Sequence, residues 1–508
     1  MTPDPGANPP PATQTGRGGR AGRPWAMGEI VPADPSAWAR EVLEAHAGGS
    51  RLVGLFALPS GSAAHALVAV LAADAQGHLA LRRTEIAPGG SFPSLTPAIP
   101  GAQAFEREIF ERQGLRPEGH PWLKPLLRHE EPGGAREAEE EPFFRVAGEG
   151  VHEVAVGPVH AGIIEPGHFR FQCAGEEVIH LEIRLGYQHR GVEDLLASSG
   201  PARRVALAES IAGDMALAHA IAHAEAIEGL SGLEAPPRAQ AIRALALEME
   251  RVANHAGDLG ALCGDVGYLP GASWLGRLRG EFLNLLLELS GNRFGRGLVV
   301  PGGVRFDLDA GLRAAFAARV ASAARDLGDV CDLVFSEPSV LSRFEHTGVL
   351  SRSDAEQLGI VGPAARASGC ARDVRTDHPS GLYRFAHIAV ASVPGGDVMA
   401  RAMIRWLEAT RSMAFLAEEI DQLPAGALLE PPGPPRPDAL VISLVEGWRG
   451  ETAHLAVTDG AGRLSCTRVI DPSFRNWFGL AMAMRGGQIS DFPLCNKSFN
   501  LSYAGHDR

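Results

Sequence analysis

The sequence predicts an α+β protein in which a small N-terminal α/β domain precedes a larger, mainly helical domain with short β elements. Three observations support this prediction. A helix-like segment and two strand-like segments lie within the first 129 residues. A charged, glycine-containing stretch separates them from the rest of the chain. Beyond that stretch, alternating apolar and polar residues give way to long segments without proline, in which apolar residues recur at helical spacing.

Changes in composition divide the chain into four segments. Residues 1–33 are expected to form a disordered tail, because Met1–Pro24 is rich in proline, glycine and arginine and lacks the apolar stretch of a signal peptide. Residues 34–129 form the predicted α/β domain, and residues 130–145 a charged linker. The mainly helical domain is expected to occupy residues 146–508.

The small domain contains three local patterns. Ser36–Ala47 has the spacing of a short helix, and Leu67–Ala73 and His78–Arg82 are typical of paired strands. Gly101–Leu127 predicts a helix over its first half, where oppositely charged residues recur three and four positions apart. Together these patterns predict the α/β domain.

The large domain begins with Val151–Leu185, whose alternating apolar and polar residues predict strands joined by glycine turns. A further short β element is predicted at Ala439–Asp459. The main helices are predicted over these segments: Arg203–Leu230, Arg238–Leu262, Trp274–Leu289, Ala310–Val334 and Asp397–Leu423.

The helix predicted over Arg203–Leu230 is the element around which we expect the large domain to be organised. Apolar residues surround nearly its whole circumference, which is typical of a buried helix. It also contains ionisable residues, among them Asp214 and His219, which are costly to bury without partners. The pattern therefore indicates either a core helix with satisfied polar groups or a helix that lines a reaction site.

Composition and charge exclude several classes of function. The formal net charge of −13 disfavours nucleic acid as a partner, since phosphate binding needs a basic surface. No apolar run reaches the roughly 18 residues that span a bilayer. The six cysteines include no CxxC pair that could hold zinc, nickel or an iron–sulfur cluster locally. We therefore expect a cytoplasmic protein with no direct membrane span and with scattered buried thiols.

The stretch Gly101–Leu127 also carries a motif, with FERE at residues 105–108 and GHP at residues 119–121. This arrangement resembles the signature of the 30-kDa-type subunit of respiratory complex I and of its counterpart in energy-converting hydrogenases. The resemblance implies that residues 34–129 have the fold of that subunit.

A second motif occupies Gly157–Leu195, which resembles the start of the family shared by nickel–iron hydrogenase large subunits and the 49-kDa-type subunit of complex I. The resemblance implies a hydrogenase-large-subunit-like fold for residues 146–508. The order of the two domains is that of group-4 hydrogenase large subunits, such as that of formate hydrogenlyase, and of some fused complex I chains. Further matching stretches are Arg243–Gly267 with its E-x-x-R-x-x-N-H pattern, Pro301–Val304, Arg375–Pro379, Gly396–Arg401, and Val445–Glu451 with Trp448 in place of a proline.

Hydrogenase large subunits bind their metals through two CxxC pairs. The resemblance places the corresponding positions at Ala212 and Met215 and at Ser502 and Gly505, so all four thiolates are absent. Because nickel needs soft thiolate donors, the resemblance implies that no nickel–iron centre is bound, and we expect no metal and no resident cofactor on this chain. In this respect the chain is similar to the energy-converting-hydrogenase-related complexes.

The 49-kDa-type subunit of complex I holds a quinone head group with a tyrosine and a histidine. The tyrosine's position falls at Gly213 in this sequence. His160 matches the first histidine of the family's GPxHP motif, and His168 and Glu165 are both candidates for the position of the head-group histidine. We interpret His160, His168 and Asp214 as residues of an acceptor cavity, with quinone as a possible acceptor.

The resemblance also assigns residues to proton transfer. Glu165 and Arg449 occupy positions that hydrogenases use for proton delivery and cavity electrostatics. Asp265 matches a family aspartate that helps to carry protons or to couple quinone reduction to pumping. A carboxylate in a desolvated pocket has a raised pKa and exchanges protons near neutrality. A structural ion pair is the alternative interpretation for Glu165 and Arg449.

Two neighbouring pairs have simpler interpretations. Arg190 and Glu193 are expected to form a buried ion pair that positions the fold or a partner. His219 and His223 share one helix face at a spacing that can ligate metal, but no glutamate follows in an HExxH pattern. Buried structural histidines are therefore the favoured interpretation of that pair.

These patterns predict an oxidoreductase-complex subunit of the NADH-quinone oxidoreductase or hydrogenase type. It is expected to lie against the inner face of the cell membrane and to form an acceptor-facing cavity beside an iron–sulfur small subunit, with integral membrane subunits as further partners. The alternatives are a non-catalytic scaffold or coupling subunit of an ion-pumping complex and, disfavoured by the missing thiolates, a hydrogen-evolving hydrogenase. A reductase needs an open cavity between Arg203–Leu230 and the tail Ser498–Arg508, whereas a scaffold does not.

Overall fold

The computed structural model describes residues 19–60, 64–127, 143–160 and 164–508. The fold is α+β, as the sequence predicts, and no helix among these residues is long and apolar enough to cross a bilayer. The strands are β1 (Trp25–Ala26), β2 (Pro32–Ala33), β3 (Arg51–Ser60), β4 (Ala64–Ala73), β5 (His78–Ile86), β6 (Ser91–Pro93), β7 (Arg116–Glu118), β8 (Val151–Val156), β9 (His168–Ala174), β10 (Glu177–Arg184), β11 (Val299–Val300), β12 (Gly303–Val304), β13 (Ala439–Gly447), β14 (Gly450–Thr458) and β15 (Leu464–Ile470). The α-helices are α1 (Pro35–Ala47), α2 (Gln103–Gln113), α3 (Val192–Ser198), α4 (Pro201–Glu209), α5 (Ala216–Ser231), α6 (Pro237–Asp265), α7 (Leu269–Ser290), α8 (Ala310–Val334), α9 (Pro338–Phe344), α10 (Arg352–Gln357), α11 (Gly362–Ala367), α12 (Val374–Asp377), α13 (Val398–Asp421), α14 (Pro472–Ala483), α15 (Phe492–Phe499) and α16 (Tyr503–Asp507).

The small domain is a four-stranded sheet covered by α1. The strand order is β2-β5-β4-β3, with β4 antiparallel to both of its neighbours and β2 parallel to β5. Asp34 caps α1 by accepting a hydrogen bond from the Ser36 amide at 2.9 Å, and Trp38 and Val42 bury the inner face of the helix. The predicted helix and both predicted strands are present, and β3 is an additional strand that the sequence analysis does not identify.

Residues 19–33 are ordered, although the sequence analysis assigns them to a disordered tail. Gly19 exchanges two backbone hydrogen bonds with Leu79, and β1 pairs antiparallel with β13 through Trp25 and Leu440. The Trp25 side chain is only 7% exposed. The order has a physical cause, because β1 covers the edge of β13 and buries a large aromatic side chain. Residues 1–18 and most of the predicted linker 130–145 lie outside the described residues.

The two domains share one hydrophobic core. The C-terminal sheet has the order β1-β13-β14-β15, and its buried residues pack with those of β3, β4 and α2. Phe105 on α2, for example, lies against Phe474 on α14 with ring centroids 5.1 Å apart. The small domain therefore packs directly against the large domain.

Long helices form the centre of the large domain. The 29-residue helix α6 packs against α7 and α13, and α8 packs against α7 and α13 in turn. Arginine and glutamate side chains are buried along α6, among them Glu248, Glu250 and Arg251. The helices predicted from Arg238, Trp274, Ala310 and Asp397 onward correspond to α6, α7, α8 and α13.

The long helix predicted over Arg203–Leu230 is wrong as one element, because it is broken into α4 and α5. Side chains from other parts of the chain donate hydrogen bonds to the carbonyl groups of the turn between α4 and α5. Arg190 donates to the carbonyls of Ser210 and Ile211, and Trp448 donates to the carbonyl of Asp214 at 2.9 Å. Since these carbonyls no longer need amide partners one turn ahead, the chain can leave the helix here.

Candidate functional site

The break between α4 and α5 contains the first two positions at which the family carries metal-binding cysteines. Ala212 and Met215 are fully buried there. The side chain of Met215 packs against the backbone of Gly447 so closely that a Cβ added to that glycine would lie 2.7 Å from the Met215 sulfur. The space beside these positions is therefore filled by the protein itself.

The other two positions, Ser502 and Gly505, lie at the start of α16 and are also buried. Ser502 caps this short helix, because its hydroxyl accepts a hydrogen bond from the Gly505 amide at 2.9 Å. A Cβ added to Gly505 would lie 2.6 Å from the carboxyl carbon of Asp471. A carboxylate from another element thus stands where a side chain at position 505 would project.

Asp214 and Arg449 form a bidentate ion pair beside this break. The Arg449 guanidinium donates to both carboxylate oxygens of Asp214, at 2.5 and 2.7 Å, and its Nε donates to the carbonyl of Asn500 at 2.5 Å. The guanidinium also lies over the ring of Trp448, 3.9 Å from the ring centroid. The Arg449 side chain is 4% exposed and that of Asp214 33%, so the pair connects the interior to the surface.

A buried histidine chain begins at Asp471. The Asp471 carboxylate lies 3.0 Å from Nε2 of His219, and Nδ1 of His219 lies 3.1 Å from Nε2 of His454. Asp471 also caps α14 by accepting from the Ser473 amide at 2.7 Å. Burial alone would raise the pKa of Asp471, but the hydrogen bond with His219, the charge of Arg449 and the Ser473 amide hold it below its ordinary value.

Glu250 on α6 is a buried carboxyl group that contacts the start of α5. It accepts hydrogen bonds from the Leu217 amide at 2.8 Å and the Ala218 amide at 3.4 Å, at the start of α5. Burial, reinforced by the charge of Asp214, raises the pKa of Glu250 to about 8 although both amides oppose the shift. Glu250 is therefore a buried carboxyl group that titrates near neutral pH.

The C-terminal segment is anchored to α6 and to the break by further polar contacts. Asn500 donates to Asp258 on α6 at 2.5 Å, and Arg405 on α13 donates to the same carboxylate at 2.7 Å. Asp507 accepts from the amides of Gly186 and Gln188, both at 2.8 Å. Residues 503–508 are all buried, so the tail closes the inner side of the polar cluster.

Glu165, His160 and His168 lie near the tail but outside the buried cluster. Glu165 is exposed and accepts from the Ala504 amide at 3.2 Å. His168 lies 3.2 Å from the carbonyl of Gly157, and burial lowers its pKa. The buried Nε2 of His160 has no hydrogen-bond partner among the residues that the structure describes, which do not include 161–163.

Asp265 is remote from these groups. It ends α6, seven residues beyond Asp258, which corresponds to about 10 Å along the helix axis. The residue as a whole is exposed to solvent. Its carboxyl group is nevertheless partly desolvated, and this raises its pKa although the charge of Lys497 opposes the shift. The tertiary structure therefore places Asp265 outside the cluster around Asp214 and Arg449.

The structure thus brings together Asp214 and Arg449 from the sequence-derived set. It adds residues that the sequence analysis does not assign: Asp471, Glu250, Asp258, Arg405, Asn500 and His454. The only local signal for Asp471 was its place before Pro-Ser at the start of a helix, a typical capping pattern.

The two neighbouring pairs are resolved by their contacts. The predicted Arg190–Glu193 ion pair is wrong, because Arg190 binds backbone carbonyls while Glu193 binds Arg112 at 2.5 Å. His219 is engaged by Asp471 and His454, and within the described part of the chain no group of three or more potential ligands could hold a metal ion. Arg190 and Glu193 therefore bind different partners, and His219 belongs to the buried polar cluster around Asp471.

Comparison with known proteins covers both halves of the chain. Residues 44–141 match the family described as the respiratory-chain NADH dehydrogenase 30-kDa subunit, and residues 265–433 match its 49-kDa subunit. The chain is 32% identical over 437 residues to formate hydrogenlyase subunit 5 of Escherichia coli, covering 82% of this chain and 77% of that protein. It is also 32% identical to the carbon monoxide-induced hydrogenase of Rhodospirillum rubrum, covering 69% of this chain and 97% of that protein. Among solved structures, a chain of the membrane-bound sulfane sulfur reductase, an archaeal respiratory membrane complex, aligns with a TM-score of 0.66 at 26% identity, covering 70% of this chain and 98% of that one.

The Asp214–Arg449 pair is expected to contribute measurably to stability. Arg449→Met leaves the Asp214 carboxylate and the Asn500 carbonyl without their partner, so we expect a loss of about 2 to 3 kcal/mol in the free energy of unfolding, measured by denaturant titration. Arg352→Met, which removes an exposed arginine from its pair with Glu356, is the control and should cost less than about 1 kcal/mol. Equal losses for the two variants would contradict a special role of the buried pair.

Glu250 is expected to make stability depend on pH. Since its pKa lies above the ordinary value of 4.5, the fold favours its protonated form, and this contribution is lost as the pH rises toward about 8. Glu250→Gln should therefore lose less stability between pH 5 and pH 8 than the parent protein, by on the order of 1 to 3 kcal/mol, in unfolding measured across that pH range. The exposed Glu345→Gln is the matched control. An unchanged pH profile in the Glu250 variant would show that this carboxyl is ionised throughout.

Proposed function

The chain belongs to the family of fused 30-kDa- and 49-kDa-type respiratory-chain subunits that includes the large subunits of group-4 hydrogenases, and from this premise we propose that it forms an acceptor-reducing site beside an iron–sulfur partner. Both resemblances drawn from the motifs are confirmed. Relatives of the chain include the alpha subunit of the membrane-bound hydrogenase of Pyrococcus furiosus and a subunit of the F420H2 dehydrogenase of Methanosarcina mazei. The chain is a subunit of such an oxidoreductase complex. We propose in addition that this chain itself forms part of the catalytic site.

The observation that carries the proposal is the placement of the Asp214–Arg449 pair. It lies beside the positions where the family's metal-binding cysteines are missing, and Asp214 reaches the surface with a third of its side chain exposed. A charged pair that is buried at one end and open at the other can orient a polar head group brought to its outer side. We propose that the acceptor binds on the solvent-exposed side of the Asp214–Arg449 pair.

The same positions do not suit a nickel–iron centre. Ala212, Met215, Ser502 and Gly505 offer one thioether and one hydroxyl, and neither bridges two metals as a thiolate does. The six cysteines are buried in other elements, so none takes over the role. We propose that the chain binds neither nickel nor another resident cofactor, and that its acceptor is an exchangeable small molecule such as a quinone.

Reduction of such an acceptor takes up protons together with electrons, so the site needs groups that exchange protons. Glu250 lies next to Asp214 with a pKa of about 8, and Asp471 and His219 form a buried acid–imidazole pair near Arg449. In this proposal Asp214 and Arg449 orient the acceptor and these neighbouring groups hold protons. Electrons come from an iron–sulfur cluster on the partner subunit.

The surface around the tail supports an interface with that partner. Val159, Ile164 and Tyr187 are exposed apolar or aromatic side chains near the loop that follows β8 and near the segment that binds Asp507. Apolar side chains of this kind are typical of surfaces that another subunit covers. We propose that this surface is the docking site of an iron–sulfur small subunit, that integral membrane subunits complete the complex, and that the assembly lies on the inner face of the cell membrane.

The packing of the tail favours a second candidate function, that of a non-catalytic coupling subunit. Residues 503–508 are buried, and Asp471 fills the space beside Gly505, so the inner side of the cluster is closed. A chain of this kind would transmit changes between the partner and the membrane subunits without contacting an acceptor.

Metal analysis tests the absence of a nickel–iron centre. We expect the purified complex to contain no stoichiometric nickel, even when it is made in a host with complete hydrogenase maturation, because thiolate donors are missing. The measurement is elemental analysis together with an assay for hydrogen uptake with a reducible dye. Nickel near one atom per chain, or hydrogen uptake, would overturn this part of the proposal, whereas iron alone belongs to the partner's clusters.

The role of Asp265 is tested by Asp265→Asn in the assembled complex. The Asn side chain keeps the size of the residue but cannot carry a proton, so we expect acceptor reduction coupled to ion transport to fall by about tenfold or more while the subunit composition is unchanged. Coupled turnover is measured in membrane vesicles, with Asp332→Asn on the exposed face of α8 as the control. Normal turnover in the Asp265 variant would remove this residue from the coupling mechanism.

A further inference from the structure

We propose that Glu446 takes up and releases a proton through a small cavity of its own, and that this proton compensates charge when electrons reach the acceptor site. This role rests on the proposed acceptor-reducing function and adds a proton-binding site to it. The cavity lies between α5, α6, α12 and β13, beside the 3-10 turn Gly381–Arg384. Among the described residues, neither Asp214 nor Arg449 lines it, so it is separate from the polar cluster.

The cavity connects a half-buried rim to a buried carboxyl group. Of the residues that line it, Gln240, Ser380 and Gly381 are half-buried and mark its outer end, whereas Glu446 is only 3% exposed. Ser380 donates a hydrogen bond at 2.7 Å to Glu225, which also lines the cavity. The volume of about 30 Å³ has room for about two water molecules. Protons from solvent can therefore reach Glu446 by way of water and the Glu225 carboxyl group.

Glu446 belongs to a buried set of ion pairs whose charges do not balance. In the part of the chain that the structure describes, the other members are three arginines and three carboxylates: Arg251, Arg366, Arg375, Glu248, Asp373 and Glu408. With Glu446 ionised, the set has four carboxylates for three arginines. An uncompensated charge is costly to bury, so the set favours a proton on one of its carboxyl groups.

The charged and titratable groups on the neighbouring elements have partners of their own. These contacts join Arg51 to Asp74 and Glu451, Arg475 to Glu451, His378 to Asp74, Asp377 to the Asp373 amide, Arg372 to Cys370, Arg243 to Glu228, Arg384 to Glu234, His255 to Glu408 and Tyr383 to Glu248. Within the described ranges, Glu446 has a salt bridge to Arg366 alone and Glu225 has none. The neighbours therefore leave the charge of the set uncompensated.

The contacts of Glu446 leave a position for the proton. One carboxylate oxygen accepts from Arg366 at 2.8 Å and the other from the Val374 amide at 3.1 Å. A carboxylate has about four lone-pair positions, so about two remain for a proton or for water. Arg366 is shared, since its Nε donates to Glu408 at 2.7 Å. Burial, reinforced by the charge of Asp373, raises the pKa of Glu446 to about 7 although the arginines oppose the shift.

The other carboxyl groups of this region fall into two kinds. Burial alone would raise the pKa of Glu248, Asp373 and Glu408, but the arginines that they bind hold it below the ordinary value. At the rim, burial raises the pKa of Glu225 to about 7, although the hydroxyl of Ser380 opposes the shift. Near neutral pH, Glu446 is therefore the member of the set that exchanges a proton, and Glu225 can pass that proton to solvent.

Glu446 is connected to the acceptor site through the hairpin of β13 and β14. It lies three residues before Arg449, and Arg251 donates to the carbonyls of Glu446 and Gly447, at 2.6 and 3.0 Å. An electron that arrives at the site adds negative charge nearby, which raises the proton affinity of a buried carboxyl group. Glu446 then takes a proton from solvent through the cavity, forming one O–H bond, and returns the proton when the reduced acceptor leaves.

The test is infrared difference spectroscopy of the purified complex, recorded without acceptor as the pH is raised from about 5.5 to about 8.5. A protonated carboxyl group has a carbonyl band that disappears on ionisation, so the parent should lose band intensity with a midpoint near pH 7. Glu446→Gln and Glu225→Gln should each lose less of this intensity, whereas the exposed Glu345→Gln should behave as the parent does. The same loss in Glu446→Gln as in the parent would overturn the proposal.

A second variant keeps the assignment testable if Glu446→Gln does not assemble. Glu446→Asp retains a carboxyl group on a shorter side chain, so its band should differ from that of the parent in position or in midpoint. A titration identical to that of the parent would refute the assignment to Glu446. Because no acceptor is present, these spectra do not depend on whether the chain reduces an acceptor, which is assayed separately.

Proton uptake on reduction tests the compensating role. The parent and Glu446→Gln complexes are reduced electrochemically at about pH 7.5 with the acceptor present, and a pH-indicator dye reports the protons taken up. We expect the parent to take up more protons than Glu446→Gln, by up to about one per complex, with Glu345→Gln again as the control. Equal uptake by the parent and Glu446→Gln would show that Glu446 does not compensate charge.

Discussion

The large domain depends on one interaction, the bidentate pair between Asp214 and Arg449. The pair links the break between α4 and α5 to the turn between β13 and β14, and through Asn500 it reaches the C-terminal segment. Trp448 and Asn254 hold the carbonyl of Asp214 from two sides, which keeps the break open. Desolvating two charges is costly. The cost is offset here because the two terminal nitrogens of the Arg449 guanidinium donate to the Asp214 carboxylate and its Nε donates to the Asn500 carbonyl.

Protein atoms occupy the space beside Met215 and Gly505, two of the four positions that match the family's metal-binding cysteines. Where a thiolate pair is absent, Met215 packs against Gly447, and the missing side chain at Gly505 makes room for the Asp471 carboxylate. The glycine at position 505 and the placement of Asp471 are therefore linked by sterics. The result is a cluster of ionisable side chains beside these positions, within the fold that the family shares.

Much of the family's motif set serves to hold buried charges in place. Arg375 binds Glu248 at 3.1 Å, and Arg366 binds Glu408, which also accepts from His255 at 2.9 Å. Similar pairing joins the domains, since Arg51 on β3 donates to Glu451 at 2.9 Å and to Asp74. Removing one member of such a set would strand a buried charge, so these residues explain why the two domains behave as one packed body.

The sequence by itself determined the family, the main helices and strands, and the loss of the thiolates, because these depend on residue type and on spacing along the chain. It also named Asp214 and Arg449 as candidate site residues, and the structure places the two in contact. Only the tertiary structure decided that the helix around Asp214 is broken, that residues 19–33 are ordered, and that Asp471 and Glu250 join the site. The reason is the range of the contacts: Arg449 is 235 positions from Asp214, and Asp471 is 252 from His219. Local propensity favours a continuous helix through Asp214, and side chains from other loops, turns and helices override it by binding the carbonyls that the helix would have used.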